Sequence, residues 1–237
     1  MMAHRKFLLG WAIALACTAP AAARPILVEL FTSEGCSSCP PADAFLAELA
    51  KRGEVLALSL HVDYWDGLGW KDRFASPALT ARQRGYMRLL DLATVYTPQM
   101  VIDGRWQAVG SERAAVNEAL ALAVRERTPE VPLTLTVSTG RARLQIAAAA
   151  ASSAAPASVI LIGFDRGGTD AVRGGENDGR TLAYVNVVRG IEQIGEFRGS
   201  AAELTAPLPW RADRVAAIVQ AADGKILGLA VADAPSS

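Results

Sequence analysis

Two cysteines separated by two serines, Cys36-Ser37-Ser38-Cys39, are the residues whose type and spacing most directly permit chemistry. One thiol of such a pair can attack a disulfide while the other resolves the mixed disulfide that forms. The sequence contains 3 cysteines, and the third, Cys17, lies in an apolar N-terminal segment. If that segment is removed, Cys36 and Cys39 can pair only with each other. A bridge closing so short a loop adds little stability, because disulfide stabilisation grows with the loop closed. The pair is therefore poorly explained as a staple and better explained as a redox centre. Cys36 follows an apolar, β-branched run and precedes a helix. A thiolate there would face unpaired backbone amides and the positive end of the helix dipole, which lowers its pKa. Ser37 and Ser38 offer further hydrogen bonds to sulfur.

Other polar residues fall near this pair. Glu29 interrupts the apolar run Ile26-Leu27-Val28-Glu29-Leu30-Phe31. Burial in a strand would raise its pKa and let it relay protons to the thiols, or it pairs with an arginine. His61 and Asp63 end the next apolar run and complete the candidate proton relay. A structural histidine and an exposed loop acid are the plain alternatives. Tyr64, Trp65 and Trp70 line a peptide groove or pack in the core. Structural zinc needs four ligands, and His61 is the only histidine outside the N-terminal segment. Soft thiolates suit Cu(I), so Cys36, Cys39 and His61 are the alternative metal set.

The elements that would hold these residues follow from periodicity. Residues 26–31 and 55–62 are buried-strand candidates around a helix that takes Pro40-Pro41 in its first turn and stops before Gly53. Strand, helix, strand over so few residues makes a βαβ unit with parallel strands. Both strands then end on the cysteine side of the sheet. Proline directly after Cys39 disfavours a helical conformation at Cys39 itself. Ser76-Pro77 opens a second helix. Gln99-Met100-Val101-Ile102 turns at Asp103-Gly104 into Trp106-Gln107-Ala108-Val109, a hairpin, and a third helix starts at Ser111. Thr128 to Pro132 reads as a linker. Beyond it the period becomes two, with strands at 133–138, 142–148, 159–164, 181–188, 215–221 and 226–231. A polar, glycine-rich loop is expected from Gly167 to Gly179. Arg180, Asn186 and Arg189 are read as a solvated strand face, with docking onto the α/β half as the alternative, and Ala147 to Ala157 as low complexity. The resulting division is a signal segment over 1–23, an α/β domain over 24–128 and a β-rich, sandwich-like domain over 129–237.

At the N-terminus, His4-Arg5-Lys6 precedes an apolar run ending at Cys17, then Ala21-Ala22-Ala23. That order is a cleavable signal peptide, too short in its apolar part to span a bilayer. Export to the periplasm or the exterior is implied, where disulfides persist. Ala14-Leu15-Ala16-Cys17 departs from a lipoprotein site at Ala14, so lipidation of Cys17 is not expected. Lys plus Arg and Asp plus Glu both total 24, and no basic run exceeds two residues. Nothing in charge points to nucleic acid.

The run Val28-Glu29-Leu30-Phe31-Thr32-Ser33-Glu34-Gly35-Cys36-Ser37-Ser38-Cys39-Pro40, with Thr97-Pro98-Gln99-Met100-Val101-Ile102-Asp103-Gly104, resembles the thioredoxin/glutaredoxin superfamily. Together with His61-Val62-Asp63-Tyr64-Trp65 and Gly69-Trp70-Lys71-Asp72, it is similar to an exported bacterial thioredoxin-like family of unknown function. The resemblance implies a thioredoxin-like α/β domain and a cis peptide before Pro98, beside the sulfurs. It also implies substrate binding at Thr97 and Pro98. The expected activity is thiol–disulfide oxidoreduction without a cofactor, on protein or small thiols, reset by a redox partner protein. A Cu(I) chaperone and a non-catalytic binding module are the alternatives.

Overall fold

The computed structural model describes residues 23–127, 130–149 and 155–235. Residues 1–22 of the signal segment, Cys17 among them, Thr128 and Pro129 of the expected linker, and residues 150–154 of the alanine-rich run lie outside these. The elements are β1 (Ile26–Thr32), α1 (Pro40–Leu49), β2 (Val55–His61), α2 (Pro77–Leu89), β3 (Gln99–Ile102), β4 (Trp106–Val109) and α3 (Arg113–Arg125). They are followed by β5 (Leu133–Ser138), β6 (Arg141–Ile146), β7 (Ala157–Ala171), β8 (Thr181–Phe197), β9 (Ala202–Pro207), β10 (Arg214–Gln220) and β11 (Ile226–Asp233).

β1 and β2 run parallel, from Ile26 opposite Val55 to Thr32 opposite His61. Both strands are buried almost throughout, as parallel strands covered on two faces must be. β3 pairs antiparallel to the other edge of β1, with Phe31 opposite Gln99, and turns into β4 through Asp103 and Gly104. Eight strands form one sheet in the order β11-β10-β7-β8-β2-β1-β3-β4. β5, β6 and β9 form a second sheet of three. The large sheet therefore continues across the boundary placed near residue 128. β8 makes the junction, with Val187 opposite Ser59, the Ser59 hydroxyl donating to the Val185 carbonyl (2.8 Å), and the Asn186 carboxamide donating to the Ala57 carbonyl (2.8 Å).

Side-chain alternation distributes the cores. Val28 and Leu30 face α1 and α3, packing with Phe45, Leu46, Leu49, Val116 and Leu120. Leu27 and Phe31 face the opposite way, toward Leu79 and Tyr86 of α2. That second core also takes Ile160 and Ile162 of β7, Ala216 and Ile218 of β10, and Leu229 of β11. The outer faces of the same strands, with Val159, Leu161, Val215, Ala217 and Val219, pack on Leu144 and Ile146 of the three-stranded sheet. β10 is thus buried on both faces and joins the α/β and β-rich portions.

Residues 167–171 of the stretch expected as a loop are strand, and the remainder is the turn that follows. β7 and β8 extend as a two-stranded arm, paired from Gly167 with Val185 to Ala171 with Thr181. A two-stranded ribbon tolerates glycine and charge on its open face. Its covered face buries Val172, Leu182, Tyr184 and Val187 against Phe74. Asn186 docks on β2 through the Ala57 carbonyl, whereas Arg180 and Arg189 are exposed, as a solvated face requires.

Candidate functional site

Cys36 and Cys39 form a disulfide with Cα atoms 5.4 Å apart. They sit in a tight turn: the Cys36 N–H donates to the Ser33 carbonyl and the Cys39 N–H to the Cys36 carbonyl, each at 3.2 Å. Cys39 caps α1, its carbonyl accepting from the N–H groups of Ala42 (2.8 Å) and Asp43 (3.1 Å). Those two bonds hold Cys39 in right-handed helical geometry despite the following proline. The helix begins at Pro40, with both prolines in its first turn as expected. The two prolines have a chemical consequence. Neither Pro40 nor Pro41 carries an N–H, so the first turn lacks two of the donors expected to cradle a Cys36 thiolate. The helix dipole remains, and the Ser38 hydroxyl lies 3.4 Å from the Cys36 sulfur.

Beneath the disulfide, between α1 and the ends of β1 and β2, lies a buried polar cluster. Asp43 is one helical turn beyond Cys39, which puts both side chains on one face of α1. It is buried, and its Oδ1 has no hydrogen-bond partner. Burial pushes its carboxyl up to about 7, against the pull of His61 and the Thr32 hydroxyl beside it. His61 is fully buried, its Nδ1 2.6 Å from Asp72 Oδ2 and its Nε2 without a partner. Its ring packs edge-on to Tyr184 (4.5 Å between centroids) and beside Phe74 (5.2 Å). Burial opposes ionisation of Asp72, but the His61 ring and the N–H groups of Glu34 and Phe74 outweigh it and hold its carboxyl below the usual range. Glu34 accepts from the Trp70 indole N–H (2.7 Å) and is pushed up to about 7, chiefly by burial and then by Asp72, with Trp70 opposing.

The Thr97–Pro98 peptide is cis. Since Gln99 lies opposite Phe31, Pro98 falls level with Thr32, where β1 gives way to the cysteine loop. Trp65 ties the two segments together: its indole N–H donates to the Thr97 hydroxyl (2.9 Å), and its Cβ lies against Gly35, where a side chain would stand 3.1 Å from it.

Other expected members lie elsewhere. Glu29 belongs to the α2 face of β1, opposite α1. Arg82 grips it with two nitrogens, and the Tyr86 hydroxyl donates to it (2.5 Å). It is a buried ion-pair residue, the arginine-paired alternative. Asp63 also faces α2, accepting from the Thr80 hydroxyl (2.5 Å). Ser37 and Ser38 are exposed, but Cys36 and Cys39 are fully buried. The tip of the β7–β8 arm lies on their loop. The Asn177 carboxamide donates to the carbonyls of Glu34 and Cys36 (2.9 Å each), and Glu176 accepts the Ser37 N–H (3.1 Å).

Residues 27–220 match the family described as Protein of unknown function (DUF1223). The chain belongs to the DUF1223 family. Protein AGR_C_4864 of Agrobacterium tumefaciens, known from a crystal structure, is 31% identical, with a TM-score of 0.74 over 92% of this chain and 98% of that one. HBP35 of Porphyromonas gingivalis is similar in fold, with a TM-score of 0.62 and 16% identity over 89% of this chain and 75% of that one. No curated protein matches the chain.

In this DUF1223 protein, no group of three or more His, Cys, Asp or Glu side chains among the described residues is arranged to hold a metal. His61 faces Asp72 and Tyr184, and the two sulfurs are bonded to each other. Sequence analysis missed Glu34, Asp43, Asp72, Glu176 and Asn177 as site residues. Asp43 was within reach, because an acid four positions after Cys39 must share its helix face. Asn177 was not, since nothing local joins it to a loop 141 residues away.

Proposed function

We propose that this DUF1223 protein is an exported thiol–disulfide oxidoreductase whose active pair, Cys36 and Cys39, rides on a thioredoxin-like half. Support for that fold comes from the parallel β1–α1–β2 unit, the antiparallel β3–β4 hairpin beside β1, and the pair placed where β1 feeds α1. Support for export is the signal-type N-terminal sequence. The observation that carries the activity is the cysteine pair at the head of α1 with a buried carboxyl, unpartnered at Oδ1, one turn below it.

In the reducing direction, the Cys36 thiolate attacks one sulfur of a substrate disulfide. A Cys36 mixed disulfide forms and the other substrate sulfur leaves as a thiolate. Asp43 takes the Cys39 proton, and the Cys39 thiolate attacks the Cys36 sulfur. The second substrate thiolate leaves and the Cys36–Cys39 disulfide is restored. Two electrons have passed to the substrate, and a dithiol protein must return them. The oxidising direction reverses each step, and relative stability of the two forms selects between them. A carboxyl with a pKa near the working pH suits the proton transfer, a role worth roughly a hundredfold in rate. Ser38 steadies the attacking sulfur, and Thr97 and Pro98 border the approach.

Cys39→Ser should accumulate covalent adducts at Cys36 with a disulfide-bearing protein, seen on non-reducing gels and abolished by Cys36→Ser. Asp43→Asn should slow resolution about a hundredfold and remove an inflection near pH 7 from the rate profile. A Cys39→Ser protein that forms no adduct would exclude the proposal.

A further inference from the structure

The disulfide is buried, yet any exchange partner must reach a sulfur in line with the bond. The tip of the β7–β8 arm holds the cysteine loop by hydrogen bonds. Residues 173–180 form the tip of the β7–β8 arm, and among them only Asn177 is buried. Asn177 spends its amide on the Glu34 and Cys36 carbonyls, and Glu176 holds the Ser37 N–H. The tip backbone also rests on the loop before Trp70: a side chain at Gly174 would stand 2.5 Å from the Gly69 carbonyl oxygen. Gly175 and Gly179, on either side of Asn177, have φ of 70° and 78°, which glycine adopts freely. The base of the arm is different, with Val172, Leu182, Tyr184 and Val187 buried around Phe74. A well-packed base and a tip held by a few hydrogen bonds give one segment two stabilities.

We propose that residues 174–180 are a gate over the Cys36–Cys39 disulfide, latched by Asn177 and Glu176, which swings off while the arm base stays packed. The closed state shields the disulfide from bulk thiols. A substrate or redox partner reacts only with molecules whose tip is open, so opening limits exchange when the partner is abundant. The gate deepens the oxidoreductase reading by assigning that site its access control, but concerns accessibility and does not require turnover.

The full-length oxidised protein is treated with increasing dithiothreitol, and released thiols are counted by alkylation and mass spectrometry. The wild-type rate should level off at high dithiothreitol. At low dithiothreitol, Asn177→Ala and, separately, Glu176→Ala should react roughly tenfold faster, the effect of losing a latch hydrogen bond. Asp178→Ala, an exposed change on the same tip, should match wild type. Glu176 is exposed, so its variant keeps the test valid if Asn177→Ala does not fold. A wild-type rate that rises linearly with dithiothreitol and is matched by both latch variants would overturn the gate. Failure of Cys39→Ser to trap substrate would remove the oxidoreductase proposal and leave the gate result standing.

Discussion

At the scale of single residues, the unusual feature is acid held where water is absent. Asp43 and Glu34 are both buried and both pushed up to about 7. Between about pH 4 and pH 7 the folded protein keeps protons that the unfolded chain has already lost. Stability must therefore fall as pH rises through that window and level off above it. Each pH unit crossed costs ~1.4 kcal/mol for a carboxyl that stays protonated only in the folded chain. Asp43→Asn should flatten this decline and raise stability at pH 8, read from urea midpoints across the pH series. An unchanged slope would mean that Asp43 is not buried as an acid. Glu29 shows why burial alone does not identify a reactive group. It is no less buried, but Arg82 and Tyr86 between them satisfy both its oxygens.

Among the elements, α2 is fastened to the sheet by charge as well as apolar packing. Arg82 reaches Glu29 on β1 and Gln220 on β10 (3.3 Å), linking three elements that meet only in the folded chain. Removing one partner of such a pair leaves a buried charge uncompensated. Arg82→Ala should cost about 3–5 kcal/mol in urea unfolding. Reduction of the disulfide by a small thiol should be unaffected, because this network lies on the opposite face of β1 from the cysteines. β1, α1, β2, the β3–β4 hairpin and α3 were all legible from the sequence, because their apolar periods and turn residues are local. Half of the arm was legible: residues 181–188 read as strand, but the glycines and charges of 167–171 read as loop, and pairing with 181–185 makes them strand. β9 escaped for a similar reason, since Glu203 and Thr205 dilute a short alternation completed by β6.

For the whole molecule, the question is whether the two portions separate. Leu27, Phe31, Leu58 and Leu60 lie under a roof built partly from β7, β10 and β11. Arg24 pairs with Asp103 through both carboxylate oxygens (2.7 Å each) and donates to the Ile226 carbonyl (2.7 Å). The Gly104 and Gly224 turns touch backbone to backbone, so closely that a side chain at Gly104 would stand 1.9 Å from the Gly224 carbonyl oxygen. A chain ending at Arg127 would keep α2 but lose the β7, β10 and β11 side chains that complete the cover on that face of β1 and β2. It should be insoluble or lack near-ultraviolet circular dichroism, although it contains every expected residue of the α/β domain. A soluble, cooperatively folding fragment would contradict this.

Residue type and short-range period were enough to specify the local chemistry: a cysteine pair between a buried strand and a helix, and the βαβ order that brings His61 to the same end. Both act within a few residues, so they can be read along the chain. Long-range contact alone selected which acids are poised and which are spent, and put the cysteines under cover. Pairing and solvent exclusion are set by groups far apart in the chain, such as Asn177 with Cys36 and Arg82 with Glu29, and no local pattern encodes them.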